Sequence, residues 1–203
     1  MKSARPRRSG FRLRHPVLLG GGFAVAAAAV IALLVLALAG GGGSSSGVGV
    51  VRSGYPYPVQ TFADQGRDHL AVGETYGAYN SSPPTSGPHA PSPAPWGVSS
   101  VELPKEVPVH NMEHGGVVVW YNCAAGPQPL DQTACTQLRD RLAAIVQEAV
   151  GQKKEVLMTP YSHMDHRIAL TAWRTLDSFD DFDEARVRAF IATFERKFNP
   201  EEF

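Results

Sequence analysis

Two histidines and a glutamate fall within five positions at His110-Asn111-Met112-Glu113-His114, inside the stretch VHNMEHGGVVVWYNC. Neutral imidazole nitrogens and carboxylate oxygens are donors that zinc and copper accept. The order H-x-x-E-H is also the string of an inverted zinc-protease helix. That chemistry needs a helix, so that histidines four apart share a face. Pro104 and Pro108 before the motif, and Gly115-Gly116 with a β-branched run behind it, argue for a tight turn leading into a strand. The expectation is therefore a turn whose His110, Glu113 and His114 either bind a metal or serve the fold through bonds to backbone.

A second group, Tyr161-Ser162-His163-Met164-Asp165-His166, repeats the local pattern, with Met164-Asp165-His166 echoing Met112-Glu113-His114. If both turns lie at the same sheet edge, Asp165 and His166 join the ligand set. Thioether ligation by Met112 and Met164 would favour Cu(I), whereas imidazoles and carboxylates alone favour zinc. The alternative is that both methionines fill the core. His89, in SGPHAP, sits among prolines that restrict the backbone and is a further candidate. His69, in the polar stretch DQGRDHL, is expected to face solvent. The one G-x-S-x-G string, Gly43–Gly47, falls in a Gly/Ser-rich run and not between a strand and a helix, so no nucleophile elbow is read, and no phosphate-binding glycine loop is present. Catalysis is thus not the expectation, and a metal-assisted hydrolase ranks third, behind a copper- or zinc-binding module and a cell-envelope interaction domain that uses the Tyr79–Val98 loop.

The elements that must position these residues follow from composition, run length and periodicity. Val117–Tyr121 reads as a buried strand. Cys135–Val150 reads as a helix, with Leu138, Leu142, Ile145, Val146 and Ala149 at three- and four-residue spacing. Glu155–Thr159 and Arg167–Thr175 read as two more strands around the PYSHMDH turn. A second helix starts at Asp183, a capping residue, and carries Val187, Phe190, Ile191, Phe194 and Phe198 as its apolar stripe. The fold class is α+β, a small sheet covered by two helices and preceded by an ordered Pro/Gly-rich loop region. Cys123 and Cys135 are expected to form one disulfide, as an even cysteine count in an oxidising compartment implies.

The compartment is read from the chain's start. Six of the 19 basic residues lie in the first 14 positions, while all 19 acidic residues lie beyond residue 60. The body is therefore acidic, which argues against nucleic acid as a partner. Behind the basic tail (1–16), the uncharged run 17–39 would span about 35 Å as a helix, enough to cross a bilayer. Its length favours a retained single-pass anchor over a cleaved signal peptide. Positive charge before the span places the N-terminus in the cytoplasm and the rest outside. A Gly/Ser-rich linker (40–54) then leads to an extracytoplasmic domain (55–203).

YNSSPPTSGPHAP, APWGV, VHNMEHGGVVVWYNC and RIALTAWRTLDSFD together resemble the bacterial family of unknown function DUF3105 over roughly Tyr55 to Phe198. The resemblance implies an N-terminal membrane segment and an extracytoplasmic domain. It makes SGPH and HNMEHG signature positions, pointing to His89, His110, Glu113 and His114. It implies no particular activity.

Overall fold

The computed structural model describes residues 54–198. The basic tail, the apolar run 17–39 and the linker up to residue 53 lie outside the described residues. Among the described residues no helix is long and apolar enough to cross a membrane.

Six strands form one mixed sheet: β1 (Gln60–Thr61), β2 (Gly97–Val98), β3 (Val117–Tyr121), β4 (Val156–Pro160), β5 (Ile168–Ala172) and β6 (Thr175–Phe179). Their spatial order is β1-β6-β5-β3-β4-β2. Among the described residues the helices are α1 (Glu106–Glu113), α2 (Gln132–Gly151) and α3 (Glu184–Phe194). The sheet with its helices is the expected α+β class, with one helix more than the sequence reading supplied.

β3 is the centre of the sheet because all five of its residues can be buried. Side chains alternate between faces along a strand. Val117, Val119 and Tyr121 pack with α2 and α3, while Val118 and Trp120 pack with α1 and the Pro-rich loop. Both faces are thus covered. α2 and α3 supply the expected stripes, Leu138, Leu142, Ile145, Val146 and Ala149 from one and Val187, Phe190, Ile191 and Phe194 from the other. α3 ends at Phe194, and Phe198 packs instead at the margin of the α1-side cluster. Asp131 and Asp183 cap the two helices, their side chains accepting from Ala134 N and Arg186 N.

β3, α2 and β4 make a parallel crossover, with Val117 opposite Val156 and Tyr121 opposite Pro160. The Cys123–Cys135 disulfide links the residue two beyond β3 to the first turn of α2. Closing that loop constrains the unfolded chain and contributes about 3 kcal/mol. Replacing both cysteines by serine is expected to lower the unfolding midpoint by roughly 6–12 °C. Thermal circular dichroism of the two forms reads this directly, and equal midpoints would mean that the crossover gains nothing from the bond.

Two corrections concern local structure. The segment Arg167–Thr175, expected as one strand, is the greater part of a hairpin: β5 pairs antiparallel with β6 through Trp173 and Arg174, the latter at φ 62°. The residues before Gly115, expected as a turn, form α1. Pro108 is tolerated because it lies in the first turn, where its missing N–H has no intrahelical partner. The glycine pair ends the helix rather than preventing it. Gly115 takes φ 88°, its N–H donates to the Met112 carbonyl, and Gly116 N–H donates to the Asn111 carbonyl. Gly116 is also a point of close approach, since a Cβ there would stand 2.4 Å from the Trp96 ring.

Candidate metal centre

One helix and one loop bring the centre together. In α1, Val109 and Met112 face the core beneath, whereas His110 and Glu113, three apart, share the neighbouring face. The Pro-rich loop is stitched across that face. Ala94 N–H donates to Asn111 Oδ1 at 2.9 Å, and Asn111 Nδ2 donates to the Ala94 carbonyl at 2.8 Å. Tyr79 Oη donates to the Pro88 carbonyl at 2.5 Å, and Ala90 N–H donates to the Glu106 carbonyl at 3.2 Å. Thr85, Ser86 and His89 are fully buried, so this stretch is packed structure and not a solvated linker.

A short parallel bridge adds the last member. His89 N–H donates to the Asp68 carbonyl at 3.0 Å and Leu70 N–H to the His89 carbonyl at 2.7 Å, which sets His69 beside His89. The His69 ring stacks on His110, with centroids 5.1 Å apart and planes 13° apart, and meets His89 edge-on at 5.0 Å. One donor atom from each of His69, His89, His110 and Glu113 then lies within 4.8 Å of every other. His69 was expected to face solvent. Its side chain is 47% exposed, yet its Nε2 is 3.6 Å from Glu113 Oε2.

The tautomers of the two buried rings can be assigned from their partners. His89 Nδ1 is 2.8 Å from the Gly87 carbonyl and His110 Nδ1 is 2.7 Å from the Ala90 carbonyl. A carbonyl only accepts, so each Nδ1 carries the proton, and a neutral ring then presents a bare Nε2. His89 Nε2 points at Glu113 Oε2, 3.0 Å away. Two lone pairs facing each other at that distance need a positive charge between or beside them, either a second ring proton or a cation. A histidine fixed by a backbone carbonyl on its far nitrogen is the usual arrangement at a metal. Burial pushes the His110 imidazole below its usual pKa, and nearby His89 and His114 push the same way against the Ala90 bond and Glu113. His110 is thereby kept in the neutral form that ligation requires.

His114 closes α1 as its C-terminal cap, and its Nε2 is 2.8 Å from His110 Nε2. With the His110 proton on Nδ1, His114 Nε2–H donates to the bare His110 Nε2, so His114 adjoins that donor nitrogen while lying outside the group of four. Asp165 and His166 are elsewhere. The HNMEHGG segment leads into the Val117 end of β3, and the PYSHMDH turn leaves the Pro160 end of β4. Because the two strands are parallel, the segments depart from opposite ends of the pair, about 15 Å apart along the strands. His166 Nδ1 instead lies 3.2 Å from Asp180 Oδ2. Both methionines are buried in the α1-side cluster, which removes the thioether argument for copper. The donor set is three imidazoles and one carboxylate.

Neither a curated protein nor a solved structure matches the chain. A family model described as "Protein of unknown function (DUF3105)" matches residues 72–202, which takes in His89, His110, Glu113 and His114 and begins just after His69. A match over that share of the chain, which spans the Pro-rich loop and α1, means that the protein belongs to the DUF3105 family.

Proposed function

We propose that this domain binds a divalent transition-metal ion, with zinc the best fit, and that the apolar run 17–39 carries it on the outer side of a membrane. The observation behind the first half is the pair of buried imidazoles. Each is anchored through Nδ1 to a backbone carbonyl; His89 turns Nε2 toward the buried Glu113 carboxylate, and His110 brings a ring nitrogen within 4.8 Å of the donor atoms of His89 and Glu113. Tetrahedral zinc with bonds of ~2.0–2.1 Å places its donors about 3.4 Å apart. The separations of 3.0 and 3.6 Å from Glu113 to His89 and His69 bracket that value. With no sulfur donor in the group, Cu(I) is disfavoured against zinc or Cu(II). The Cys123–Cys135 disulfide supports an oxidising compartment, as expected of a domain outside the cytoplasm.

The experiment is metal analysis of the full chain, purified without a polyhistidine tag and titrated with zinc by calorimetry. One equivalent per chain is expected. His89→Ala and His110→Ala should each weaken binding by a factor of 100 or more, about the loss that even an outer-sphere partner can cause. The competing account is an imidazolium at His89 paired with Glu113, which would bind no metal. Absence of stoichiometric zinc and copper, with both variants indistinguishable from wild type in the titration, would favour that account and end the metal reading.

A further inference from the structure

Resting on that reading, we infer that His69 is a displaceable fourth ligand, and that the position it vacates takes a small anionic ligand from solution. The four candidate ligands are not equivalent. His89 and Glu113 side chains are 0% and 4% exposed, whereas that of His69 is 47% exposed. His89 and His110 are each fixed by a carbonyl at Nδ1. His69 is held from the backbone, through the bridge to His89, and by its ring stacked against His110. A rotation about the side-chain torsions of His69 therefore moves its ring outward without disturbing the strand-like pairing beneath it. Exposed side chains make such rotations on the picosecond-to-nanosecond scale.

What remains after that rotation is two imidazoles and a carboxylate, a donor set known from zinc sites that keep a fourth position for water or substrate. The charge balance selects the incoming ligand. Two neutral imidazoles and one carboxylate leave a divalent ion with a net charge of one positive unit, so a monoanion such as hydroxide or a carboxylate neutralises the site. The only side chain of the four that borders solvent is the one that leaves, so the ligand arrives from the His69 side. The site is thereby an exchangeable one, in contrast to the closed four-ligand sites that only brace a fold.

The test uses the full chain loaded with Co(II), whose visible spectrum reports coordination, and azide as the anionic probe. Wild type and His69→Ala should each bind one equivalent of cobalt, the variant about 10- to 100-fold more weakly, in the range of losses seen for partly supporting groups. Azide should shift the spectrum of both, saturating at lower concentration in His69→Ala, where no side chain competes. Imidazole added to the variant should restore the wild-type spectrum. Complete loss of cobalt from His69→Ala would make His69 indispensable and overturn the inference while leaving the metal reading intact. A variant identical to wild type in affinity and spectrum, or wild-type cobalt protein indifferent to azide, would overturn it equally. Failure of wild type to take up cobalt or zinc would remove the metal site itself.

Discussion

Saturating zinc is expected to raise the unfolding midpoint of the full chain by roughly 8–16 °C, and Glu113→Ala to abolish that rise. A ligand present at about 1,000 times its Kd, and binding only the folded state, adds about 4 kcal/mol. A domain of this size shifts by roughly 2–4 °C for each kcal/mol. Glu113 is the carboxylate of the group and lies within hydrogen-bonding reach of His89. Without it a divalent ion would sit among imidazoles with no counter-charge, in a region where His89 is fully buried and His110 nearly so. The increment caused by zinc is the proper readout, because the substitution also deprives His89 of its partner in the metal-free protein. His166→Ala should keep the whole increment, since that ring pairs with Asp180 at the far end of the β3–β4 pair. Differential scanning calorimetry with zinc or with chelator measures all three proteins. An increment that survives Glu113→Ala, or one that His166→Ala removes, would place the ion somewhere else.

Part of this centre was legible in the residue order. His110 and Glu113 stand three apart, and a helix makes that spacing a shared face. His89 stood out because prolines flank it. His69 did not, since nothing in DQGRDHL separates it from an ordinary exposed histidine. Its place follows from a bridge between two segments 20 positions apart, and such pairing leaves no local pattern. Asp165 and His166 were drawn in by a likeness of short strings. The order strand, helix, strand already argued against them, because a crossover of that kind makes β3 and β4 parallel and sends the two turns to opposite ends.

The same contrast runs through the fold. α2 and α3 were visible because burial of one face imposes a period on them, and β3 and β4 because short apolar runs read as buried strands; the observed spans differ by only a few residues. α1 was missed because Pro108 and the glycine pair were weighed as breakers, although each occupies a helix-end position that accepts it. β6 was missed for a different reason. Its TLDSF sequence buries Asp177 in place of an apolar residue, and the turn before it uses Trp173 and Arg174, neither of which announces a hairpin. β1 and β2 have two residues each, too few for any periodicity.

Asp177 is the site of the other large expected effect. Its side chain is 1% exposed, and Arg186, 20% exposed, donates from Nε to Oδ2 at 2.8 Å and from a terminal nitrogen to Oδ1 at 2.5 Å. Tyr55 Oη donates to the same carboxylate. Burial first, and then the neighbouring Asp177, raise the Tyr55 phenol far above its usual pKa, so it remains a donor at any physiological pH. The three residues come from the start of the described chain, from β6 and from α3, and the carboxylate is the acceptor that joins them. Removing it leaves a guanidinium and a phenol without their acceptor beside the core, and breaking a buried pair in this way costs about 3–5 kcal/mol. Asp177→Ala should therefore lower the unfolding midpoint by roughly 6–20 °C. Asp177→Asn keeps an acceptor for Tyr55 and should lose less. Since the pair also carries a desolvation cost, Asp177→Leu combined with Arg186→Met should destabilise by clearly less than the two single changes added together. Urea unfolding of the wild type, the two single variants and the double variant closes this cycle. If the double variant equals the sum of the singles to within about 0.5 kcal/mol, Asp177 and Arg186 act independently and the junction is held by packing around Tyr55 alone.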